Sequence, residues 1–203
     1  STSVSNFEKQ IAYLKNNYEL VSINELVKNN SKNRQAAITF DDGYTSFVKN
    51  ALPIIRKYKA PSTLFVLGSS IKKRNNGTNP KLSLLSEDEI KKLKTDNVTI
   101  GYHSENHKDL SKMDLDELET EIHSSKVLFE EKLGIKIDYF AYPFGKYNKT
   151  VLSVLRKSGY KAAFTTKSST LDRKNILEIP RYCVGNNISL NEFQTLITPL
   201  GLA

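Results

Sequence analysis

The chain has 203 residues and a formal net charge of +8 at pH 7, from 30 Lys and Arg against 22 Asp and Glu. This length can bury a substantial core, and no linker, repeat or low-complexity stretch divides it, so residues 1–203 are expected to form a single domain. The basic residues are spread without a dense arm or recognition motif, which argues against nucleic-acid binding, and no apolar run approaches the ~20 residues that span a bilayer.

Helix-like and strand-like patterns alternate along the chain. Apolar residues at helical spacing predict helices near residues 6–16, 24–29, 46–58, 86–95, 114–133, 148–158 and 189–197. Short apolar or β-branched runs predict strands near residues 36–41, 62–67, 97–102, 137–142, 160–165 and 176–180. Between them, the very polar stretch 72–80 is expected to be a loop. Strands that alternate with helices favour an α/β fold with parallel pairing.

The longest predicted helix, near residues 114–133, carries an apolar stripe that should form its buried face. The members of the stripe are Leu115, Leu118, Ile122, Leu128 and Phe129. His123 lies next to the stripe and is therefore expected on the helix surface.

Two carboxylates and two imidazoles follow predicted strands. The first strand runs into Asp41-Asp42-Gly43, and the third into His103, four positions before His107. Neighbouring side chains on a regular strand point to opposite faces, but Gly43 permits an irregular backbone that could turn both carboxylates toward one cleft. Because α/β folds build their sites at the carboxyl ends of parallel strands, these side chains are expected to converge.

One carboxylate and two imidazoles suit a divalent metal ion. Catalytic zinc sites take three protein ligands and leave one position for water, whose pKa falls to about 7 on binding. Asp42, His103 and His107 match this count, and Asp41 is then free to take a proton as the water attacks a carbonyl. Zinc is the expected metal, and cobalt, nickel, manganese or iron would also suit these ligands.

Simpler explanations exist for each motif taken alone. Asp-Asp-Gly is typical of a turn or a helix cap, and two histidines four positions apart also occur without a metal. Ser104 directly after the first histidine excludes the zincin pattern, which needs Glu at that position. The conjunction of both motifs at strand ends indicates a hydrolase site.

In its motifs the chain resembles the polysaccharide deacetylases of the NodB-homology type, carbohydrate esterase family 4. Residues 39–44 are similar to the first motif of that family, in which the first Asp is the catalytic base and the second a metal ligand. Residues 103–107 are similar to the second motif, which supplies two histidine ligands. The resemblance implies an irregular (β/α) barrel with fewer than eight complete units and about seven strands.

A third block, Ala-Tyr-Pro-Phe-Gly, resembles the motif that forms one wall of the substrate groove. By this resemblance Pro143 and Phe144 contact substrate, and the Phe144 N–H helps to hold the oxyanion. Many members begin this motif with an arginine that orients the base, where this chain has Ala141. Arg181, in an Ile-Pro-Arg block similar to that of the poly-N-acetylglucosamine deacetylase branch, is expected to pair with Asp41 and keep it ionised.

Aromatic side chains near the motifs are candidates for contact with sugar rings. Tyr44, Tyr182 and Phe144 are expected in the substrate groove, whereas Tyr102 is assigned to the core, and Tyr142 is also a core candidate.

The general acid of the family, a Leu-x-His near the C-terminus, has no counterpart, because His123 is the last histidine. Water, another group, or sequence upstream of Ser1 would have to protonate the leaving amine. A weakly active enzyme or a glycan-binding protein without catalysis therefore remains an alternative.

The resemblance implies a metal-dependent N-deacetylase acting on polysaccharide that contains N-acetylglucosamine, outside the cell or at its surface. A signal or anchor segment would then lie outside these residues. An O-acetyl esterase acting on xylan or another acetylated glycan is the nearest alternative, since the same site polarises an ester. Cys183 is the single cysteine, so no intramolecular disulfide can form, and no oligomer is implied.

Overall fold

The structure, a computed structural model, describes residues 2–28, 31, 33–71, 83–93, 96–169, 175–185 and 188–198. The strands within these residues are β1 (Glu19–Leu20), β2 (Gln35–Ala36), β3 (Ile38–Phe40), β4 (Ser62–Val66), β5 (Val98–Tyr102), β6 (Tyr139–Ala141) and β7 (Ala162–Phe164). The α-helices are α1 (Val4–Asn17), α2 (Ile23–Lys28), α3 (Leu52–Tyr58), α4 (Glu87–Lys92), α5 (Leu115–Leu118), α6 (Ser125–Leu133), α7 (Lys149–Lys157) and α8 (Leu190–Ile197). In these residues π-helical segments, Phe47–Ala51 and Glu119–Ser124, lead into α3 and α6. None of the described helices combines the length and the apolar character needed to cross a bilayer.

Strands β3 to β7 form one parallel sheet in chain order, and β1 pairs in parallel with β2. The five-stranded sheet curls into a half-barrel flanked by helices, which confirms the predicted α/β class and the incomplete (β/α) barrel. Because all five strands are parallel, their carboxyl ends lie at the same edge of the sheet. The residues that follow these strands are therefore brought to one side of the molecule.

Strand β4 is central to the packing, since all five of its residues are buried. Its side chains alternate between two apolar clusters. Leu64 and Val66 pack in a cluster with Tyr102, whereas Phe65 packs in another with Phe164. A third cluster joins α1, α3 and α8. Burial on both faces explains why this strand reads in the sequence as a continuous apolar run.

Two strand predictions need correction. The predicted strand at residues 36–41 is divided, because the part that forms β2 pairs with β1 while the part that forms β3 pairs with β4. Strand β1 itself has no clear signal in the sequence. Residues 176–180 form no strand, and Ile179 makes an isolated parallel bridge to β7 instead. Pro180 follows directly and has no N–H with which to extend a ladder.

The predicted loop at 72–80 lies outside the described residues.

The helix predicted near residues 114–133 is present as α5, a π-helical segment and α6, and three members of the predicted stripe, Leu118, Ile122 and Phe129, are buried as expected. The other two members are not. Leu115 and Leu128 are 51% and 45% exposed, whereas Glu121 and Lys126 are buried. A π-helix bonds each residue to the fifth along rather than the fourth, so it shifts the register between the two ends of the helix. The two exposed members of the predicted stripe, Leu115 and Leu128, lie on either side of this segment.

Gly101, in the middle of β5, allows the sheet to pack closely. A Cβ atom at this position would lie 2.4 Å from Cδ1 of Phe65 and 3.2 Å from the main-chain oxygen of Tyr139. We expect Gly101→Ala to lower the free energy of unfolding by about 1–3 kcal/mol, as overpacked cores do. Urea unfolding would measure the change. Gly185→Ala, where a Cβ meets no atom within 4 Å, is the matched control, and an equal loss in both variants would contradict the packing argument.

Candidate active site

The loops after β3, β5 and β6 carry most of the residues singled out in the sequence. Asp41 and Asp42 directly follow β3, His103 directly follows β5, and Pro143 and Phe144 come shortly after β6. Since these strands are parallel members of one sheet, the loops meet at its carboxyl edge. The convergence predicted from the sequence is therefore present in the fold.

Asp42, His103 and His107 form a compact cluster of potential metal ligands. The Nε2 atoms of His103 and His107 lie 3.5 and 3.4 Å from Oδ1 of Asp42. One ligand atom from each of the three side chains lies within 4.8 Å of the other two. These three side chains could hold a metal ion.

The surroundings of His103 prepare its ring for metal binding. Its Nδ1 atom lies 2.7 Å from the main-chain oxygen of Ala141, which can only accept a hydrogen bond, so Nδ1 carries the proton. Burial lowers the pKa of His103 below its ordinary value, which favours the neutral ring. The lone pair of Nε2 then faces Asp42, as a metal ligand requires, because the hydrogen bond to the Ala141 carbonyl fixes the tautomer. The donor set fits zinc and related divalent metals.

The backbone around the cluster is unusual. Asp42, Ser104 and His107 all have positive φ angles, of 73°, 64° and 55°. Gly43, with φ of 77°, continues the irregular turn that the sequence predicted. Left-handed conformations at non-glycine residues cost about 1–3 kcal/mol each and are concentrated at functional sites. Within the turn between His103 and His107, the His107 N–H donates to Oγ of Ser104 at 3.1 Å.

Asp41 and Arg181 form a bidentate ion pair. Nη1 and Nη2 of Arg181 donate to the two carboxylate oxygens of Asp41 at 2.7 and 2.8 Å. Arg181 is itself held by Oγ1 of Thr39 and by the main-chain oxygen of Thr165. Burial alone would raise the pKa of the Asp41 carboxyl, but the positive guanidinium holds that pKa below its usual value. The predicted contact is present, and it keeps Asp41 ionised.

We expect Arg181→Lys to lower kcat/KM roughly 10- to 100-fold, the range seen when an outer-shell partner is replaced. A lysine ammonium cannot reproduce the planar, bidentate contact with Asp41. The pKa of Asp41 should therefore rise, so that activity is lost at a higher pH as the solution is acidified. A pH profile of kcat/KM would measure the shift of the acid limb.

The matched control for this variant is Arg56→Lys. Arg56 also makes a bidentate contact, from Nε and Nη2 to the two carboxylate oxygens of Asp96 at 2.7 and 2.8 Å, but this pair lies at the amino end of β5. If the acid limb of the pH profile of kcat/KM stays in place in Arg181→Lys, the role of Arg181 in keeping Asp41 ionised would be contradicted.

The third predicted block places Phe144 next to the cluster. Its ring centroid lies 4.6 Å from that of His107 in an edge-to-face contact, and the residue is 57% exposed. Its φ of 57° is again positive. Pro143 is buried, so it shapes the turn that carries Phe144 and does not present an open face. Tyr142 is buried in the core, where its hydroxyl donates to the main-chain oxygen of Leu177.

A cavity of about 770 Å³ lies beside the Asp41–Arg181 pair. Its walls are mainly apolar and come from α1, from β3 and from the segment after Ile179. Tyr44 and Tyr182, two of the predicted substrate-binding residues, line this cavity. Nothing in the sequence indicated it, because its walls come from segments that are far apart along the chain.

Comparison with known sequences points to one family. The sequence profile of the polysaccharide deacetylase family matches residues 28–163. The polysaccharide deacetylase family protein YxkH of Bacillus subtilis is 30% identical over 136 residues, which cover 67% of this chain and 46% of that protein. The poly-β-1,6-N-acetyl-D-glucosamine N-deacetylase of Staphylococcus aureus is 27% identical over 202 residues, which cover 92% of this chain and 69% of that enzyme. The chain thus spans about half the length of the first of these relatives.

Comparison with solved structures agrees. The deacetylase PplD of Streptococcus pyogenes, solved in complex with acetate, superposes with a TM-score of 0.86 at 25% sequence identity. The superposition covers 98% of this chain and 88% of that protein. The half-barrel is therefore shared along nearly the whole chain.

Proposed function

The chain belongs to the polysaccharide deacetylase family, and we propose that it is a metal-dependent hydrolase that removes N-acetyl groups from polysaccharide containing N-acetylglucosamine. The observation that carries the proposal is the cluster of Asp42, His103 and His107 with the ionised Asp41 next to it. Hydrolysis of an amide by water needs an electrophilic centre and a separate base, and this arrangement offers both.

We propose the following roles for the residues of the site. Asp42, His103 and His107 would hold one divalent cation, with zinc as our first choice, and such a cation would supply Lewis acidity and lower the pKa of a water molecule to about 7. Asp41 accepts the proton of the attacking water. The main-chain N–H of Phe144 donates a hydrogen bond to the oxyanion that develops on the substrate carbonyl.

The leaving amine must also receive a proton, and the histidines offer no separate acid. The chain has three histidines, of which His103 and His107 belong to the cluster and His123 is exposed on a helix. We propose that the Asp41 carboxyl, which has taken a proton from the attacking water, donates that proton to the leaving amine. Solvent water is the other possible donor.

The name of the staphylococcal relative supports an N-acetylated glycan as the substrate class. The exposed ring of Phe144 beside His107 offers a face on which a sugar ring could pack. Polysaccharides of this kind occur outside the cell, so we propose that the protein is extracellular or located at the cell surface.

Acetate release would test the proposal. The zinc-reconstituted protein is assayed against β-1,6-linked and chitin-type N-acetylglucosamine oligomers and against acetylated xylan, with a chelated sample as control. We expect acetate from the N-acetylglucosamine oligomers, and none after chelation. Acetate from xylan alone would identify an O-acetyl esterase, and oligosaccharide affinity without acetate from any substrate would identify a binding protein. Either result would contradict the proposal.

A further inference from the structure

We propose that Glu121 is a positioning residue for the metal centre, because it fixes the turn that brings His107 to Asp42. The inference rests on the metal site proposed above and adds to it a residue from a different element. Glu121 lies in the π-helical segment that joins α5 to α6, on the side that is buried against the turn.

Glu121 accepts three hydrogen bonds from the turn between the two histidines. Its Oε2 accepts the main-chain N–H of Asn106 at 2.9 Å, and its Oε1 accepts the side-chain Nδ2–H of Asn106 at 2.8 Å. Its main-chain oxygen accepts the N–H of Glu105 at 3.1 Å. Both donor residues lie between His103 and His107, so one glutamate fixes the two positions that precede His107.

The turn needs such support because its own backbone is disfavoured. Ser104 and His107 both adopt left-handed conformations, which residues other than Gly, Asn and Asp rarely take. Such conformations persist only where the surroundings impose them. The bond from the His107 N–H to Ser104 Oγ closes the turn from inside, and Glu121 holds it from outside.

The choice of a carboxylate also calls for an explanation. Glu121 is only 4% exposed, and a buried carboxylate is unfavourable unless its oxygens accept strong hydrogen bonds. Lys108 approaches Oε1 at 3.9 Å, but its side chain is 59% exposed, so this pair contributes little. The bonds to Asn106 are therefore the main compensation for burying the charge. A carboxylate at this position, with both oxygens accepting from one turn residue, is suited to fixing geometry.

The test is Glu121→Gln, which keeps the shape of the side chain. The neutral amide of Gln replaces two charge-assisted hydrogen bonds by weaker ones, and its NH2 can bond to Asn106 only if that side-chain amide turns over to present Oδ1. We expect the dissociation constant for zinc to rise about tenfold, the lower end of the effect of changing a direct hydrogen-bond partner of a metal ligand, because Glu121 acts on His107 through the turn. Isothermal titration of the metal-free protein measures this constant, and far-UV circular dichroism checks that the variant is folded.

Asn106→Ala, at an exposed residue, loses a single side-chain hydrogen bond to Glu121 and should show a smaller rise in the dissociation constant for zinc. This variant provides a second measurement if Glu121→Gln folds poorly.

The matched control is Glu131→Gln, the same change at an exposed position of α6, which should bind zinc as the wild type does. Wild-type zinc affinity in both Glu121→Gln and Asn106→Ala would overturn the positioning role and leave the proposed function intact. A purely structural role predicts that outcome, with lower stability alone. A wild-type protein that binds no zinc would instead contradict the proposed function itself.

Discussion

Replacement of Asp41 by Asn is expected to lower kcat by about 10²- to 10⁴-fold while zinc still binds with nearly wild-type affinity. An amide has almost the shape of the carboxylate but cannot take a proton from the attacking water. The metal-binding cluster of Asp42, His103 and His107 does not include Asp41, so its ligand atoms remain in place. Arg181 keeps its bonds to Thr39 and Thr165 and should not move far. Acetate release and zinc titration on the same preparation measure both effects.

Asp96→Asn is the matched control for this variant. It removes the same charge from a bidentate arginine pair, but the pair with Arg56 lies at the amino end of β5, opposite the edge that carries the site. It should leave acetate release unchanged. Retained turnover in Asp41→Asn would refute the assignment of Asp41 as the base, and loss of zinc in that variant would show that Asp41 is a ligand.

The parts of the fold that could be predicted from the sequence are those set by local pattern. Strands β4 and β5 are buried apolar runs between turn signals, and both are present within one residue or so of the prediction. The run at 36–41 also has the composition of a strand. Its division between two sheets arises because β2 pairs with β1, a strand of only two residues, and no local sequence pattern specifies that pairing. The segment 176–180 fails for the opposite reason, since its apolar residues pack on β7 without forming a ladder.

The site shows the same limit. Asp41, Asp42 and His103 could be found because each directly follows a strand, and topology then brings the strand ends together. Glu121 was missed, although it lies three positions after Leu118 on the predicted helix and an acid there is itself a signal. Its role in the turn could not be inferred, because the contact with Asn106 joins two segments that no local pattern relates. The cavity beside Arg181 is likewise a product of tertiary packing.

Replacement of Asp42 by Asn should abolish both zinc binding and turnover, whereas Asp41→Asn should lose turnover alone. Asp42 supplies the one negative charge of the cluster, and Oδ1 is the atom that both histidines approach. A neutral amide oxygen is a weaker ligand than a carboxylate oxygen, so we expect zinc affinity to fall by roughly 100-fold or more, beyond the effect of changing a residue that only supports a ligand. Asn tolerates the positive φ of this position, so the turn should keep its shape.

The two aspartates therefore form a crossed test in which neighbouring residues and identical substitutions have different consequences. Zinc titration separates them, since only Asp42→Asn should weaken the metal, whereas acetate release should fall in both. The increase in melting temperature that zinc produces should shrink in Asp42→Asn and persist in Asp41→Asn, because a ligand that binds only the folded state stabilises it by an amount that grows with the logarithm of its affinity. Equal zinc affinity in the two variants would mean that the carboxylates are not divided between ligand and base, and the geometry proposed for hydrolysis would be wrong.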